Sequence, residues 1–124
     1  MREILFRGKR WDNGEWVYGD LIHDGIDYNM AIRGMGAHSV IAVDSATVGQ
    51  YTGLTDKNGK KIFEGDIVVE YGLTGGIFAM GPVAWCDTFV SWQVVGKSMY
   101  SQHLAAYKVI GNIHDNLELL EDYE

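Results

Sequence analysis

The chain has 124 residues, of which 47% are hydrophobic and 22% are charged, with 16 glycines and one proline. This length fits one domain, residues 1–124, and this hydrophobic content excludes an intrinsically disordered protein. The net charge of −7 works against long-range attraction to nucleic acid, and five of the acids lie in the last ten residues, which contain no lysine or arginine.

The compartment is indicated by the cysteine content and by the absence of apolar runs. Cys86 is the single cysteine, so an intramolecular disulfide is excluded and a reducing compartment is expected. The first residues contain no apolar run of signal-peptide length, and no stretch approaches the roughly 18 apolar residues of a membrane span. We therefore expect a cytoplasmic protein, and the sequence calls for no cofactor.

Short β-favouring runs separated by turns fill the first part of the chain. Asp12-Asn13-Gly14 lies between two such runs and predicts a hairpin, because both central residues of an Asn-Gly turn adopt positive φ. A second hairpin is predicted around Asp24-Gly25, followed by a loop at 33–38 and a strand at 40–43. Asp44 to Thr47 is turn-like, since the Asp44 carboxylate can accept a bond from the backbone two residues on.

The chain is organised around residues 43–68. This stretch predicts a strand at 48–52, a turn at Asp56-Lys57-Asn58-Gly59 and a strand at 60–63. The corner Glu64-Gly65-Asp66 and an apolar strand at 67–71 follow. Gly65 permits a sharp corner, and Asp66 can bond the backbone amides beside it.

The remainder predicts further short strands and a helix. After a turn at 72–76, a strand at 77–85 is expected to be interrupted at Gly81-Pro82, because Pro82 lacks a donor and suits an edge or a bulge. The other predicted elements are a strand at 89–95, a turn at 96–98, an ambiguous stretch at 99–107, a strand at 108–113 and a helix at 117–121 capped by Asn116. This pattern predicts a mainly β fold, a small barrel or barrel-like sandwich of short antiparallel strands with a short C-terminal helix.

Five stretches also carry a recognisable pattern. They are residues 6–10 (FRGKR), 14–19 (GEWVYG), 48–54 (VGQYTGL), 56–68 (DKNGKKIFEGDIV) and 109–120 (VIGNIHDNLELL). In this order they resemble the YopX family of phage and prophage proteins. The resemblance implies a mainly β fold and a phage or prophage origin, and it implies no established activity because the family is uncharacterised. Residues 20–42 and 72–105 are not covered, and Leu117 stands where the family tends to have proline.

A basic start beside aromatic residues suggests one class of binding surface. The cations are Arg2, Arg7, Lys9, Arg10, Lys57, Lys60 and Lys61, and the nearby aromatic residues are Trp11, Trp16 and Tyr18. If these cations share a face, they can follow a phosphate backbone while the aromatic rings stack on bases, as in small barrels that hold single strands. The competing interpretation is that the cations solubilise exposed strands and protect sheet edges. Nucleic-acid binding is therefore the alternative function.

The residues do not predict a metal or catalytic site. A calcium loop would place Leu54 and Gly65 at its first and twelfth ligand positions, where carboxylates are required. His23, His38, His103 and His114 have no ligand spacing with one another or with Cys86. Glu64 and Asp66 form a candidate acid/base pair, but we favour a structural role in which Asp66 bonds the corner's own backbone. Cys86 fits an inert core residue better than a nucleophile.

Protein binding is the class that remains. We expect a non-enzymatic accessory protein of phage or prophage origin that forms a homo-oligomer or binds a host or phage protein. Exposed strand edges suit self-association. The acidic terminal segment can dock on a basic partner, or its leucines Leu117, Leu119 and Leu120 can cap the barrel, and we favour capping.

Overall fold

The computed structural model describes residues 3–23, 30–34, 40–72, 74–94, 97–99 and 106–121, which form ten β-strands and one short helix. The chain divides into two compact units, Met1–Tyr51 and Thr52–Glu124, so the expectation of a single domain stays a prediction. Several predicted features lie outside the described residues: Arg2, the Asp24-Gly25 turn, residues 35–39 with His38, Gly96, residues 100–105 with His103, and residues 122–124.

The first unit contains a closed ring of four antiparallel strands. They are β1 (Phe6–Arg10), β2 (Trp16–His23), β3 (Met30–Gly34) and β4 (Val40–Thr55), whose last four residues belong to the second unit. β1 pairs with β2, β2 with β3, β3 with β4, and β4 returns to pair with β1. Among the described residues of this unit, the buried hydrophobic ones are Leu5, Ile32, Val43 and Tyr51.

The ring closes where β1 meets β4. A Cβ atom at Gly8 would lie 3.0 Å from Val43 Cγ2, so glycine permits the close approach of these strands. The register shifts between Arg7 and Lys9. There, Lys9 N donates to Thr47 Oγ1 at 2.8 Å, and Thr47 Oγ1 donates to the Asp44 carbonyl oxygen at 2.6 Å.

The predicted turn from Asp44 to Thr47 is a bulge within a strand. Its local bond is present, because Asp44 Oδ1 accepts from Ala46 N at 3.0 Å. The prediction of two separate strands at 40–43 and 48–52 was wrong, since β4 continues through this segment for 16 residues. Pairing with β1 across the irregular register keeps the backbone extended on both sides of the bulge.

The predicted β1–β2 hairpin is confirmed, and the strands of the second predicted hairpin pair antiparallel, while its turn at Asp24-Gly25 lies outside the described residues. In the β1–β2 hairpin, Arg10 N donates to Glu15 O at 2.9 Å and Gly14 N donates to Arg10 O at 3.0 Å. The loop is therefore wider than a two-residue Asn-Gly turn, and Gly14 alone within it has positive φ, at 73°. In the β2–β3 hairpin, His23 pairs with Met30, and β3 extends through positions predicted as the start of a loop, 33 and 34.

The second unit contains the remaining elements. Its strands are β5 (Lys61–Phe63), β6 (Asp66–Tyr71), β7 (Ile77–Cys86), β8 (Ser91–Val94), β9 (Lys97–Ser98) and β10 (Ala106–Asn112). β5 pairs with the end of β4, and the others form an antiparallel sheet in the order β10-β6-β7-β8-β9. Its core consists of Ile62, Val68, Val83, Val94 and Tyr107. β6 is buried at consecutive positions, on both of its faces, which explains its unbroken apolar run Ile67-Val68-Val69.

Two strand predictions in this unit were wrong. β7 is not interrupted at Gly81-Pro82, because Gly81 pairs with Val68 and Pro82 with Ile67 of β6 and the strand continues through both residues. The strand predicted from Phe89 starts at Ser91, and residues 87–90 form a turn in which Val90 has φ of 50°.

The C-terminal end of the described chain is close to the prediction. Ala106 and Tyr107, within the ambiguous stretch, belong to β10. The helix α1 (Glu118–Glu121) is one residue shorter than predicted, and Leu119 N donates to Asn116 O at 2.9 Å. Leu117 is 56% exposed, so its predicted burial as part of a cap was wrong. The predicted fold class is confirmed: two antiparallel sheets, a ring-like closure and one short helix.

Candidate functional site

The hairpin of β1 and β2 places cationic and aromatic side chains together. Arg7 pairs with Tyr18 and Lys9 with Trp16, so all four side chains lie on one face of the hairpin. We call these four residues the cationic–aromatic face. The Arg7 guanidinium carbon lies 4.6 Å from the Trp16 ring centroid, and Lys9 Nζ lies 5.4 Å from it. Both distances are within the range of a cation–π interaction.

This face is mostly engaged within the protein. Arg7 is only 5% exposed, and Trp16 and Lys9 are half-buried, whereas Tyr18 is 44% exposed. Trp16 therefore serves as the surface on which Arg7 and Lys9 rest. Tyr18 is the member of the face with the most accessible ring.

Arg10 does not belong to this face. It is one position out of phase with Lys9, so its side chain lies on the opposite side of β1. Its Nε and Nη2 atoms donate to the two carboxylate oxygens of Asp12 at 2.8 and 2.7 Å. This bidentate bond raises the pKa of Arg10 and lowers the pKa of Asp12 from their usual values. The Arg10 guanidinium therefore already has a carboxylate partner, Asp12, within the protein.

The three predicted lysines of the second unit lie around one turn. Lys57 and Lys60 are exposed and Lys61 is half-buried. Lys57 Nζ lies 4.6 Å from the ring centroid of Tyr71. The expectation that these lysines share a face with the basic start of the chain stays a prediction.

The same turn is held by the buried carboxylate of Asp56, which is 4% exposed. Its Oδ1 accepts from Asn58 N and Lys60 N, both at 2.9 Å, and its Oδ2 accepts from Val109 N at 3.1 Å. Burial alone would raise the pKa of Asp56. The amides of Val109, Lys60 and Asn58, together with the Lys60 charge, outweigh it and hold the pKa below its usual value.

The Glu64-Gly65-Asp66 corner is also bonded to its surroundings. Gly65 has φ of 89°, its amide donates to Val83 O at 2.9 Å, and its carbonyl accepts from Ile113 N at 2.9 Å. Asp66 is 2% exposed, and its Oδ2 accepts from Phe63 N at 2.8 Å. A carboxylate bonded to backbone amides at this depth fits the structural role better than proton transfer to a substrate.

The sequence reasoning missed a surface in the second unit. Among the described residues, ten large hydrophobic side chains are exposed, and five of them belong to the hairpin of β7 and β8: Ile77, Phe78, Trp85, Phe89 and Val90. We call residues 77–94, which comprise β7, β8 and the turn between them, the β7–β8 hairpin. A signal for it is present in the sequence, because residues 72–94 contain a single charged residue, Asp87.

The turn of this hairpin is built by local contacts. Trp85 Nε1 donates to Asp87 Oδ1 at 2.9 Å, and the Trp85 and Trp92 rings meet edge to face with centroids 5.1 Å apart. Val90 adopts a left-handed conformation that β-branched residues rarely take. Phe89 and Val90 are 72% and 71% exposed, so they project beyond the core.

Metal ligands do not converge on any of these surfaces. Across the described ranges, no group of three or more His, Cys, Asp or Glu side chains is placed to hold a metal ion. No helix in the described part of the chain is long and apolar enough to span a membrane.

Comparison with known proteins assigns the family. The family model described as "YopX protein" matches residues 5–121, which is nearly the whole chain. The chain belongs to the YopX family. A solved structure similar to this YopX protein is the crystal structure of protein EF1440 from Enterococcus faecalis. It has 26% sequence identity and a TM-score of 0.60, with 97% of this chain and 99% of that chain covered. The comparison with curated proteins gives no match.

The YopX-like stretches of the second unit coincide with turns that their own side chains close. Asp56 holds the first turn and Gly65 forms the corner, as described above. In the third turn, at residues 112–116, Asn112 Oδ1 accepts from His114 N and Asp115 N, both at 2.9 Å. Asn116 Oδ1 accepts from Asn112 N at 3.2 Å. These motifs therefore build the fold of this YopX protein, and the β7–β8 hairpin lies outside them.

Proposed function

We propose that this YopX protein is a non-enzymatic accessory protein of phage or prophage origin that acts in the host bacterial cytoplasm by binding protein. Its partner is a further copy of the chain, a host protein or a phage protein. The observation that carries this proposal is the group of exposed apolar side chains on the β7–β8 hairpin.

The composition of the hairpin fits a protein-binding surface. The cores of protein interfaces are depleted in charged residues and enriched in aromatic residues and methionine. Between residues 72 and 94 the chain has one charge, two tryptophans, two phenylalanines and one methionine. Scattered exposed hydrophobic residues are ordinary, but five within one hairpin point to a contact surface.

The buried carboxylates support a non-enzymatic role. Asp56 and Asp66 both accept hydrogen bonds from backbone amides, and both are less than 5% exposed. A general acid or base needs a reachable proton position beside the substrate. In the described geometry, these two carboxylates stabilise turns by accepting hydrogen bonds from backbone amides.

Nucleic-acid binding receives less support from the geometry. Trp16 is the proposed stacking surface, yet Arg7 and Lys9 already lie over its ring. Arg10 is engaged by Asp12. Tyr18 and the lysines around the Asp56 turn are the accessible elements of this alternative, and the net charge of −7 opposes it.

The test is a tagged pull-down from prophage-carrying cells, with and without nuclease, read by mass spectrometry. We expect stoichiometric protein, either untagged copies of the chain or another protein, to survive nuclease. Phe89→Glu should remove it, because Phe89, at 72%, is the most exposed large hydrophobic side chain among the described residues. Trp11→Glu, at a residue 65% exposed in the first unit, is the matched control and should retain it. Loss of every partner on nuclease treatment would instead favour nucleic-acid binding.

A further inference from the structure

We infer that the β7–β8 hairpin is the interface of a two-fold symmetric homodimer, in which the Ile77 end of β7 in one copy packs on the Phe89 turn of the other. This inference rests on the proposed protein-binding function and names the partner and the pairing. It starts from the distribution of the exposed apolar side chains along β7.

These side chains form two groups at opposite ends of the strand. Ile77 and Phe78 begin β7 and are 61% and 59% exposed. Trp85, Phe89 and Val90 lie at the other end, at 42%, 72% and 71%. Trp85 is eight positions after Ile77, which is about 26 Å in an extended strand.

Between the two groups, Gly81 and Val83 are buried and Ala79, Met80 and Pro82 are half-buried, so the described middle of β7 presents no large exposed side chain. In a two-fold interface, residue i contacts residue j and residue j contacts residue i. Antiparallel hairpins then bring each apolar end onto the opposite end of the partner.

Charge favours a second copy as the occupant. Each chain carries −7, so two copies repel one another wherever their acidic surfaces meet. Residues 72–94 contain one charge, Asp87, and its Oδ1 already accepts a bond from Trp85 Nε1. This hairpin is thus a surface where two acidic molecules meet with little repulsion. A strongly basic partner would gain no attraction from it.

The exposed area is sufficient for a dimer core. Five side chains with these exposures present roughly 500 Å² of apolar surface per copy, taking typical side-chain areas. A standard interface buries about 800 Å² per partner and includes a polar rim around its apolar centre. The two groups together supply the centre, and either group alone would be too small.

The experiment uses charge substitutions at the two ends, with mass measured by sedimentation velocity or light scattering. Wild type should have twice the chain mass of 13.9 kDa. Ile77→Lys alone and Phe89→Glu alone should each be monomeric, with dimer dissociation constants raised at least about a hundredfold, because each homodimer would bury two unpaired charges. An equimolar mixture should restore a dimer containing one copy of each variant, since the ammonium introduced in one chain then meets the carboxylate introduced in the other.

Matched controls separate the hairpin from exposed apolar residues in general. Ile4→Lys and Trp11→Glu substitute residues that are 63% and 65% exposed in the first unit, and both should leave the dimer intact. Thermal unfolding followed by circular dichroism checks that every variant is folded. Dissociation by the controls as well would overturn the assignment of the interface to this hairpin.

Two results would overturn the inference itself. If the variants dissociate singly but their mixture stays monomeric, the opposite-end pairing is wrong. If wild type has a mass of 13.9 kDa at every concentration, the second copy is not the occupant. In that case the pull-down tests the proposed function separately. If a different protein is captured and Phe89→Glu abolishes its capture, the proposed protein-binding function stands. If Phe89→Glu abolishes no capture, both the proposed function and the dimer inference are wrong.

Discussion

The Oδ2 atom of Asp56 accepts a 3.1 Å hydrogen bond from the amide of Val109, a residue 53 positions later in the chain. Beside it, Lys57 N donates to Tyr107 O at 2.8 Å. Together these bonds satisfy backbone groups of β10 that face away from β6. One turn residue thus closes its own hairpin through Oδ1 and joins it to β10 through Oδ2.

Removing this carboxylate should destabilise the protein strongly. Asp56→Ala leaves three backbone amides without their acceptor, and we expect the free energy of unfolding to fall by about 3 kcal/mol. Urea denaturation followed by tryptophan fluorescence measures the change. Asp20→Ala, at an exposed position of β2, is the control and should change it by less than about 0.5 kcal/mol. Equal effects of the two substitutions would contradict the joining role of Asp56.

The lowered pKa of Asp56 makes its contribution depend on pH. Its pKa in the folded protein is below the usual value, because the three amides and Lys60 outweigh the effect of burial. The unfolded chain therefore binds more protons in the acid range, and stability rises with pH. The contribution is fully present above about pH 5, beyond the unfolded pKa near 3.9, and is lost as pH falls through the folded pKa.

Asp56→Asn tests this directly, because asparagine keeps the shape and does not titrate. The difference in unfolding free energy between wild type and Asp56→Asn should be largest near neutral pH and should shrink from about pH 5 downward. Urea titrations at a series of pH values measure it. Asp12→Asn is the comparison, and its effect should be smaller because the Arg10–Asp12 pair is exposed. A difference that stays constant down to about pH 3 would show that ionisation of Asp56 contributes nothing.

Local chemistry explains which parts of the fold could be predicted. The Asn58-Gly59 turn and the Gly65 corner need positive φ at glycine, and both glycines have it. The Asp44 bond to the backbone two residues on is equally local. The continuity of β4 through that segment was not visible, because it depends on pairing with β1, more than thirty residues earlier. Long-range register leaves no pattern in a short window of sequence.

The candidate site, like the fold, has features that the local sequence predicts and features that depend on longer-range packing. The presence of a hairpin between β1 and β2 could be predicted, but the pairing of Arg7 with Tyr18 and of Lys9 with Trp16 depends on its register, which is centred between Asp12 and Asn13. Engagement of Arg7 over Trp16 depends on how deeply both side chains are buried, which alternation of residue types does not specify. The sequence predicts a strand at Phe89 and Val90 because aromatic and β-branched residues favour strands. Their exposure depends on where the β7–β8 turn falls.

The turn after β10 allows a test of close packing. A Cβ atom at Gly111 would lie 2.7 Å from Asn116 Oδ1, so Gly111→Ala must displace the side chain that accepts from Asn112 N. We expect a loss of about 2 kcal/mol in the free energy of unfolding. Gly76→Ala is the control, since nothing lies within 4 Å of its Cβ position.

A double substitution separates steric clash from a general intolerance of alanine. Asn116→Gly removes the atoms that a Cβ at Gly111 would meet, at the cost of the Asn116 bond. Gly111→Ala in the Asn116→Gly background should therefore cost much less than in wild type, which a double-mutant cycle of urea unfolding energies measures. Additive effects of the two substitutions would place the cost of Gly111→Ala somewhere other than this contact.

The backbone of Val90 predicts a gain in stability from a polar substitution. Its φ of 50° places a β-branched residue in the left-handed region, which costs roughly 1–2 kcal/mol, whereas asparagine tolerates this conformation. Val90 is 71% exposed, so little apolar burial is lost within the monomer. Val90→Asn should therefore raise the free energy of unfolding by about 1 kcal/mol. Urea unfolding in an Ile77→Lys background keeps self-association out of the measurement.

A matched substitution in a regular strand separates backbone strain from the loss of a valine side chain. Val40→Asn, at a 47% exposed position of β4 with ordinary φ, should be neutral or destabilising because valine favours a strand. A loss of stability from Val90→Asn as large as that from Val40→Asn would mean that the turn carries no backbone strain. A gain confined to Val90 would show that stability is given up at the tip of the β7–β8 hairpin, as expected where a surface is shaped for contact.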